Sequence, residues 1–370
     1  MLKKVIRVLF FIFLGIFFSI FGIMAFMNFA PQFGQSPDGN DRERLKKSVN
    51  YNLEEEVFEN LIETSLDMNF SKLRETLGEF LFSKNTKPPA PLPSVFENLN
   101  ARDSTISITW FGHSAVLLEI DGYRLLLDPM LGPAASPVPF FSKRFSYENP
   151  IPLEEISDID AILISHDHYD HLDYPSILKL MKVTKKFYVP LGVGGHLKRW
   201  GVEESAIEEL DWWTETSFDS LRLVFTPARH FSGRGLSDRN STLWGSWVIK
   251  GRSNSIYFSG DSGYGPHFNA IGEKYGPFDL AMMECGQYNA KWEAIHMMPE
   301  QTIQAGIDIQ AKQLIPIHWG AFQLSVHTWD DPVLRASQIA REKGIQLTTP
   351  TIGRRIQLEN NTEPWWEKVK

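Results

Sequence analysis

Three histidines and two aspartates fall within the six residues "HDHYDH", His166 to His171, in a chain that has only 10 histidines. Neutral imidazoles and carboxylates are the side chains that bind divalent cations of the zinc, manganese and iron class. In extended chain, residues two apart point the same way, so His166 and His168 can present their rings together. Asp170 and His171 then stand where the next turn opens. Four candidate ligands this close together exceed what one tetrahedral ion takes from adjacent residues, and two metals are the natural expectation. Asp167 can equally be solvated.

Two coordination shells need ligands from elsewhere, and three candidates each follow an apolar run: His230 after "LVFTPAR", Asp261 after "IYFSG" and His318 after "LIPI". Any one of them alone would read as a polar residue at the edge of the core. Together with His166, His168, Asp170 and His171 they predict a dinuclear site. Cys285 is the only cysteine. Thiolate clusters and an internal disulfide framework are therefore excluded, and zinc is favoured, with manganese or iron as alternatives.

Such ligands must be carried on strand ends. "ISITW", "AVLLEI", "RLLLDP" and "DAILIS" read as strands, followed by a helix over "PSILKLMK". "KFYVP", "LRLVFTP", "SWVIK", "SIYFSG", "DLAMME" and "QLIPIHW" read as further strands. Helices are expected over Pro266–Lys274, Pro299–Gln310 and Pro332–Lys343, each opened by a proline suited to a first helical turn. This order predicts an α/β fold in which helices cover sheets, with ligands gathered at strand ends.

Of the 370 residues, 43% are hydrophobic and 13% aromatic, enough for a substantial core. The formal net charge of -8 offers no dense basic surface, so nucleic acid is not an expected partner. From Val8 to Met27 no residue is charged, and a helix needs about 20 apolar residues to cross a bilayer core. The stretch exceeds the apolar region of about 7–15 residues usual in a cleaved signal peptide. Lys3, Lys4 and Arg7 precede it, which predicts a single-pass anchor with its N-terminus inside and an extracytoplasmic catalytic domain. Arg42, Arg44, Lys46 and Lys47 weigh against that orientation.

A polar, Gly/Pro-punctuated linker follows the anchor, and Leu61, Leu66, Leu73, Leu77 and Phe80 then recur with helical spacing. "NTKPPAPLPS" ends that helix. The expected organisation is an anchor over residues 1–30, a linker and helical arm over 31–102, a catalytic domain over 103–356 and a tail over 357–370.

The string "TWFGHSAVLLEI", "LLDPM", "AILISHDHYDHLDY", "ELDWW", "LWGSW", "GDSGYGPHF", "GPFDLA" and "IHWGAF" resembles the metallo-β-lactamase superfamily. Within it, the string is most similar to the N-acyl-phosphatidylethanolamine-hydrolysing phospholipase D family, over roughly Thr105 to Gly344. The resemblance implies an αβ/βα four-layer sandwich. It gives one metal to His166, His168 and His230, the other to Asp170, His171 and His318, and makes Asp261 the bridge. It further implies that a hydroxide shared between the metals cleaves a phosphodiester of a membrane lipid, that Tyr169 and His296 contact substrate, and that His296 protonates the leaving group. Asp128 is expected to orient a ligand imidazole. His113 is expected at most to support a ligand, Trp212 and Trp213 to pack or to wall the site, and His196, His267 and His327 to be solvated or packed. Glu284 and Cys285 depart from the phospholipase pattern, and a charge there could alter substrate choice. A lactone or other ester hydrolase, or a non-catalytic metal-stabilised interaction domain, are the alternative readings.

Overall fold

A computed structural model describes residues 2–65, 70–97, 99–102, 105–358, 360 and 362–369. Two seven-stranded sheets face each other. In the first, strands run in the order Arg355–Gln357, Ser107–Trp110, Val116–Ile120, Tyr123–Leu127, Ile159–Leu163, Thr184–Pro190 and Ile207–Leu210. The second runs Gln346–Leu347, Gln313–Ile317, Leu280–Glu284, Ser255–Phe258, Ser246–Lys250, Leu221–Thr226 and Glu215–Phe218. Each sheet is antiparallel on one side and parallel on the other. This shared plan has no counterpart that the eye finds as a sequence repeat.

Side chains alternate along a strand, and here both faces are buried, which is why these strands read as near-continuous apolar runs. Val116, Leu118, Leu125, Leu127, Ala161 and Leu163 point between the sheets, where they meet Leu223, Phe225, Trp247, Phe258, Met282 and Ile315. Leu117, Leu126, Ile162 and Ile164 point outward, against Ile177 and Leu180 of helix Tyr174–Leu180 and against Leu197 of helix Gly194–Arg199. On the far side, Tyr257, Ala281 and Met283 pack against Phe268, Ile303 and Ala336 of helices His267–Tyr275, Pro299–Asp308 and Asp331–Lys343. The result is the expected helix–sheet–sheet–helix layering.

Two physical reasons account for the missed elements. Ile207–Leu210 ("IEEL") and Glu215–Phe218 ("ETSF") are edge strands that carry polar residues and little apolar alternation. Helix Gly194–Arg199 opens on two glycines, the poorest helix formers after proline. The helical periodicity of the arm is realised only over Phe70–Phe82. Leu61 precedes that helix in irregular chain, and Leu66 lies outside the described residues.

Helix Leu2–Phe29 is exposed along its length, and Lys3–Phe29 is apolar and long enough to be a candidate membrane span. The chain after it is fastened to the catalytic domain. Trp200 Nε1 donates to Pro31 O at 2.6 Å, Arg234 Nη2 to Gln32 O at 2.7 Å, and the Gln35 amide to His196 Nδ1 at 2.9 Å. Leu45, Tyr51, Phe58 and Leu92 of the arm join the core between the sheets. The C-terminal tail joins it too: Trp365 stacks on Trp319 with centroids 5.4 Å apart.

Candidate metal centre

Asp128, His166, His230, Asp261 and His318 each lie just beyond the C-terminal end of a strand, and Glu284 ends one. These ends belong to both sheets and converge on one edge of the sandwich. Gly260 lets them meet: a Cβ there would stand 2.6 Å from Ser165 Cβ and 2.7 Å from Gly245 O, and its φ is +55°. Backbone bonds from His113 N to Trp319 O (2.8 Å) and from His318 N to His113 O (2.9 Å) lock the two sheets together at this edge. His113, Asp128 and His318 all adopt positive φ, the kind of backbone strain that tertiary packing sustains at functional sites.

All seven side chains expected as ligands come together. His166 Nε2 and His230 Nε2 stand 2.9 and 3.2 Å from His168 Nδ1. Nitrogens bound to zinc at about 2.1 Å in a tetrahedron would be roughly 3.4 Å apart, so this trio fits a cation. Asp170, His171 and His318 form a second group, which His113 joins. Asp261 lies between the groups. Its Oδ2 is 3.9 Å from His166 Nε2, 3.8 Å from His230 Nε2 and 3.1 Å from His171 Nε2, while Oδ1 is 3.0 Å from His318 Nδ1. His171 Nε2 and Asp261 Oδ1 are buried without a hydrogen-bond partner. Buried polar atoms are normally paired, so these two orphans are what a site built for cations leaves behind.

The second ring nitrogens of His166, His171 and His230 are occupied in the way metal ligands require. His171 Nδ1 donates to Asp128 Oδ2 at 2.7 Å, and Asp128 Oδ1 accepts from the Ser165 amide at 2.7 Å. The Ser165 hydroxyl bridges Asp128 and His166 Nδ1. His230 Nδ1 donates to Ile295 O at 3.0 Å. Burial lowers the His168 pKa to about 4 and pushes His166, His230 and His318 well below the usual imidazole value, which keeps them neutral and ready to ligate. Burial also raises Asp261, to about 7.

His168, Asp170, His230, Asp261, His296 and His318 floor a cavity of about 260 Å³ whose walls are Phe231, Trp292, Ile295 and Leu324, with Gln287. His296 is in place, its Nδ1 2.6 Å from Glu284 Oε1. Glu284 is fully buried beneath it, and its Oε2 also accepts from the Ser262 amide at 2.6 Å. Burial raises the Glu284 carboxyl well above the ordinary carboxylate range. It therefore faces His296 rather than substrate.

Tyr169 does not line this cavity. Its hydroxyl donates to Arg234 O at 2.6 Å, and the Arg234 guanidinium lies 4.0 Å from its ring centroid. The motif's turn sends this side chain toward Phe33, behind the ligands. Asp167 is buried, not solvated: Gly233 N and Thr242 Oγ1 donate to it at 2.8 Å each, and His196 Nε2 is 3.2 Å away. Although burial opposes ionisation, the bond to His196 holds its carboxyl well below the usual value. His113, valued only as support, sits 2.8 Å from Asp170 Oδ2 and packs on His318 with ring centroids 4.1 Å apart. Trp212 is core, its Nε1 donating to Trp244 O, and Trp213 stacks on Tyr275. His196, His267 and His327 are packed, His327 accepting from the Gln287 amide at 2.9 Å.

His267 lies away from the ligands, near Ser262 Oγ at 3.0 Å, and burial lowers its pKa to about 3. The unfolded chain takes up this proton near pH 6.5 and the folded chain does not, so its neutral burial stabilises the fold only above that pH. Stability is lost as pH falls from 6.5 toward 3. Between pH 6.5 and 5 the metal-free protein should lose about 2 kcal/mol from this group. Urea melts of His267→Gln should show that much less acid loss, and an unchanged loss contradicts the assignment.

The family profile described as "Beta-lactamase superfamily domain" matches residues 123–319. The chain is 42% identical over 288 residues to an uncharacterized protein of Mycobacterium tuberculosis, covering 76% of this chain and 77% of that one. It is 34% identical over 268 residues to the N-acyl-phosphatidylethanolamine-hydrolyzing phospholipase D 1 of Caenorhabditis elegans, covering 68% of this chain and 75% of that one. Among solved structures, a metallo hydrolase of the archaeon Ignicoccus hospitalis is similar in fold, with a TM-score of 0.54 and 20% identity over 69% of this chain and 99% of that one.

Proposed function

Because the chain belongs to the metallo-β-lactamase superfamily of metal-dependent hydrolases, we propose that it is a membrane-anchored phosphodiesterase of phospholipase D type, acting on N-acyl-phosphatidylethanolamine-like lipids. The observation that carries this reading is the convergence of seven ligand side chains around the orphaned His171 Nε2 and Asp261 Oδ1. The relationship to a phospholipase D family and the candidate membrane span favour a lipid phosphodiester.

In this reading His166, His168 and His230 would hold one divalent cation and Asp170, His171 and His318 the other, with Asp261, placed between the two groups, available to both. When bound, such cations supply Lewis acidity, acidifying water and offsetting charge that builds on phosphate oxygens. Asp128 and Ser165 fix the His171 and His166 tautomers, so each ring presents its Nε2 to the site. With Nδ1 of His296 engaged by Glu284, Nε2 is the nitrogen left to face the cavity and protonate the departing alkoxide. Phe231, Trp292 and Leu324 exclude bulk water around the scissile bond. Tyr169 contributes by packing, since its hydroxyl is occupied by a backbone carbonyl.

Glu284 is then a positioning residue for His296. Glu284→Gln should lower kcat about 100-fold while leaving KM and metal content close to wild type, and it should cost nothing further in a His296→Ala background. Additive losses, or loss of metal, would assign Glu284 a structural role instead. The proposed activity itself is tested by mass spectrometry of lipids after adding metal-loaded protein to native membranes, alongside a lactone panel. Release of phosphatidic acid is expected. Turnover of lactones alone would reassign the site to ester chemistry, and turnover of neither with two metals bound would favour an interaction domain.

A further inference from the structure

Helix Phe70–Phe82 is mounted with its polar side against the protein and its apolar side outward. Leu73, Leu77 and Leu81 recur at every fourth residue and are 55%, 59% and 69% exposed. Phe80 and Phe82 are exposed beside them. The residues turned inward are polar: Thr76 is buried and Glu79 lies 2.8 Å from Lys291 Nζ, while Glu75, itself exposed, reaches the same amine at 3.4 Å. A helix stabilised in water by its own domain would show the opposite arrangement. Exposed Arg74, Lys84 and Lys87 add positive charge along and just after it.

The helix also has a defined place relative to the cavity. Lys291 precedes Trp292, a cavity wall, whose Nε1 donates to Gln287 O at 2.9 Å; Gln287 Oε1 in turn accepts from the amide of Leu324, another wall. The wall at Phe231 leads instead to the anchor. Arg239 lies over the Phe231 ring at 4.1 Å, and the neighbouring Leu236, 88% exposed, shares a groove with Met24 and Met27 of the anchor helix. The apolar helix is thus tied through Lys291 to the segment that carries the Trp292 wall, while the chain after Phe231 runs on to the groove beside the anchor. The cavity, at about 260 Å³, is smaller than the roughly 300–1,000 Å³ that enclose a drug-sized ligand. It suits a phosphodiester whose acyl chains stay outside.

We propose that helix Phe70–Phe82 is a second membrane contact, lying in the bilayer interface with Leu73, Leu77, Phe80 and Leu81 among the acyl chains. The bilayer is the occupant because the chain already carries a candidate membrane span, and because basic residues flank the apolar stripe, as in interfacial helices. Docked this way, the mouth meets lipid in the plane of the membrane. That consequence rests on the phospholipase reading, whereas the contact itself does not.

The test uses the full chain in vesicles of equal parts phosphatidylcholine and phosphatidylglycerol. Cys285 is fully buried, so an environment-sensitive thiol dye will report on Leu77→Cys, Leu81→Cys and, as a control at the opposite end of the strands, Ser253→Cys. Dyes at 77 and 81 should shift to the blue and be quenched severalfold by nitroxide-labelled lipid, with little change at 253. Quenching no greater than at the control overturns the proposal, as does a blue shift without lipid quenching, which would mean that protein covers the stripe. In addition, Leu73→Glu/Leu77→Glu/Leu81→Glu should lower turnover of vesicle lipid at least about 10-fold while sparing a water-soluble phosphodiester. Equal turnover of vesicle lipid by this variant and wild type overturns it. A wild-type protein inactive on both substrates contradicts the phospholipase reading but leaves the quenching result to decide the contact.

Discussion

Asp261→Ala is expected to lower turnover by about a thousand-fold or more, because the side chain meets both ligand groups and its loss removes a carboxylate from each. Its Oδ2 faces His166, His171 and His230 while Oδ1 faces His318. Two cations held close together repel, and a shared carboxylate offsets that repulsion. Without it, elemental analysis should find the metal content falling from two toward one per chain. Circular dichroism should show the fold retained, since the neighbouring Ser262 and Glu284 keep their bond. Unchanged turnover would contradict the bridging role.

Asp128→Ala acts one step back and should have the next largest effect. The carboxylate is buried and binds the Ser165 amide, the Ser165 hydroxyl and His171 Nδ1. Its removal strands a backbone amide and frees two imidazoles to rotate. Metal affinity should fall about 10–100-fold, and the metal-free protein should lose roughly 1–3 kcal/mol from the unsatisfied amide. Asp128→Asn should recover most of the stability and less of the affinity, because an amide oxygen accepts from Ser165 but carries no charge to support His171. Metal titration and urea unfolding of both variants check this, and equal affinity in all three proteins would rule the role out.

The candidate ligands were legible because each of His166, Asp261 and His318 follows a strand that is buried on both faces, and a polar residue of metal-binding type stands out at the end of such a run. The strands themselves were legible for the same reason. Polar edge strands such as Glu215–Phe218 carry no such contrast. His113 was undervalued because its partners are remote in sequence: it meets Asp170, 57 residues on, and its neighbour Ser114 meets His318, 204 residues on. Tyr169 shows the opposite error. The resemblance implied that it contacts substrate, yet the turn at Asp170 directs it to Arg234, a buried arginine that also donates to Asp167 O and Leu172 O. A single arginine in a glycine-rich stretch carries no periodic signal.

The inverted helix Phe70–Phe82 was legible as a helix but not as an inverted one, since periodicity shows that an apolar stripe exists and not which way it faces. Its orientation comes from Glu75 and Glu79 meeting Lys291, more than two hundred residues away.

Anomalous diffraction from crystals of full-length protein purified without chelator tests the centre most directly. Two peaks are expected, one among His166, His168 and His230, the other among Asp170, His171 and His318, with Asp261 reaching both. A single peak, or ions bound elsewhere while these groups remain empty, would contradict the dinuclear account.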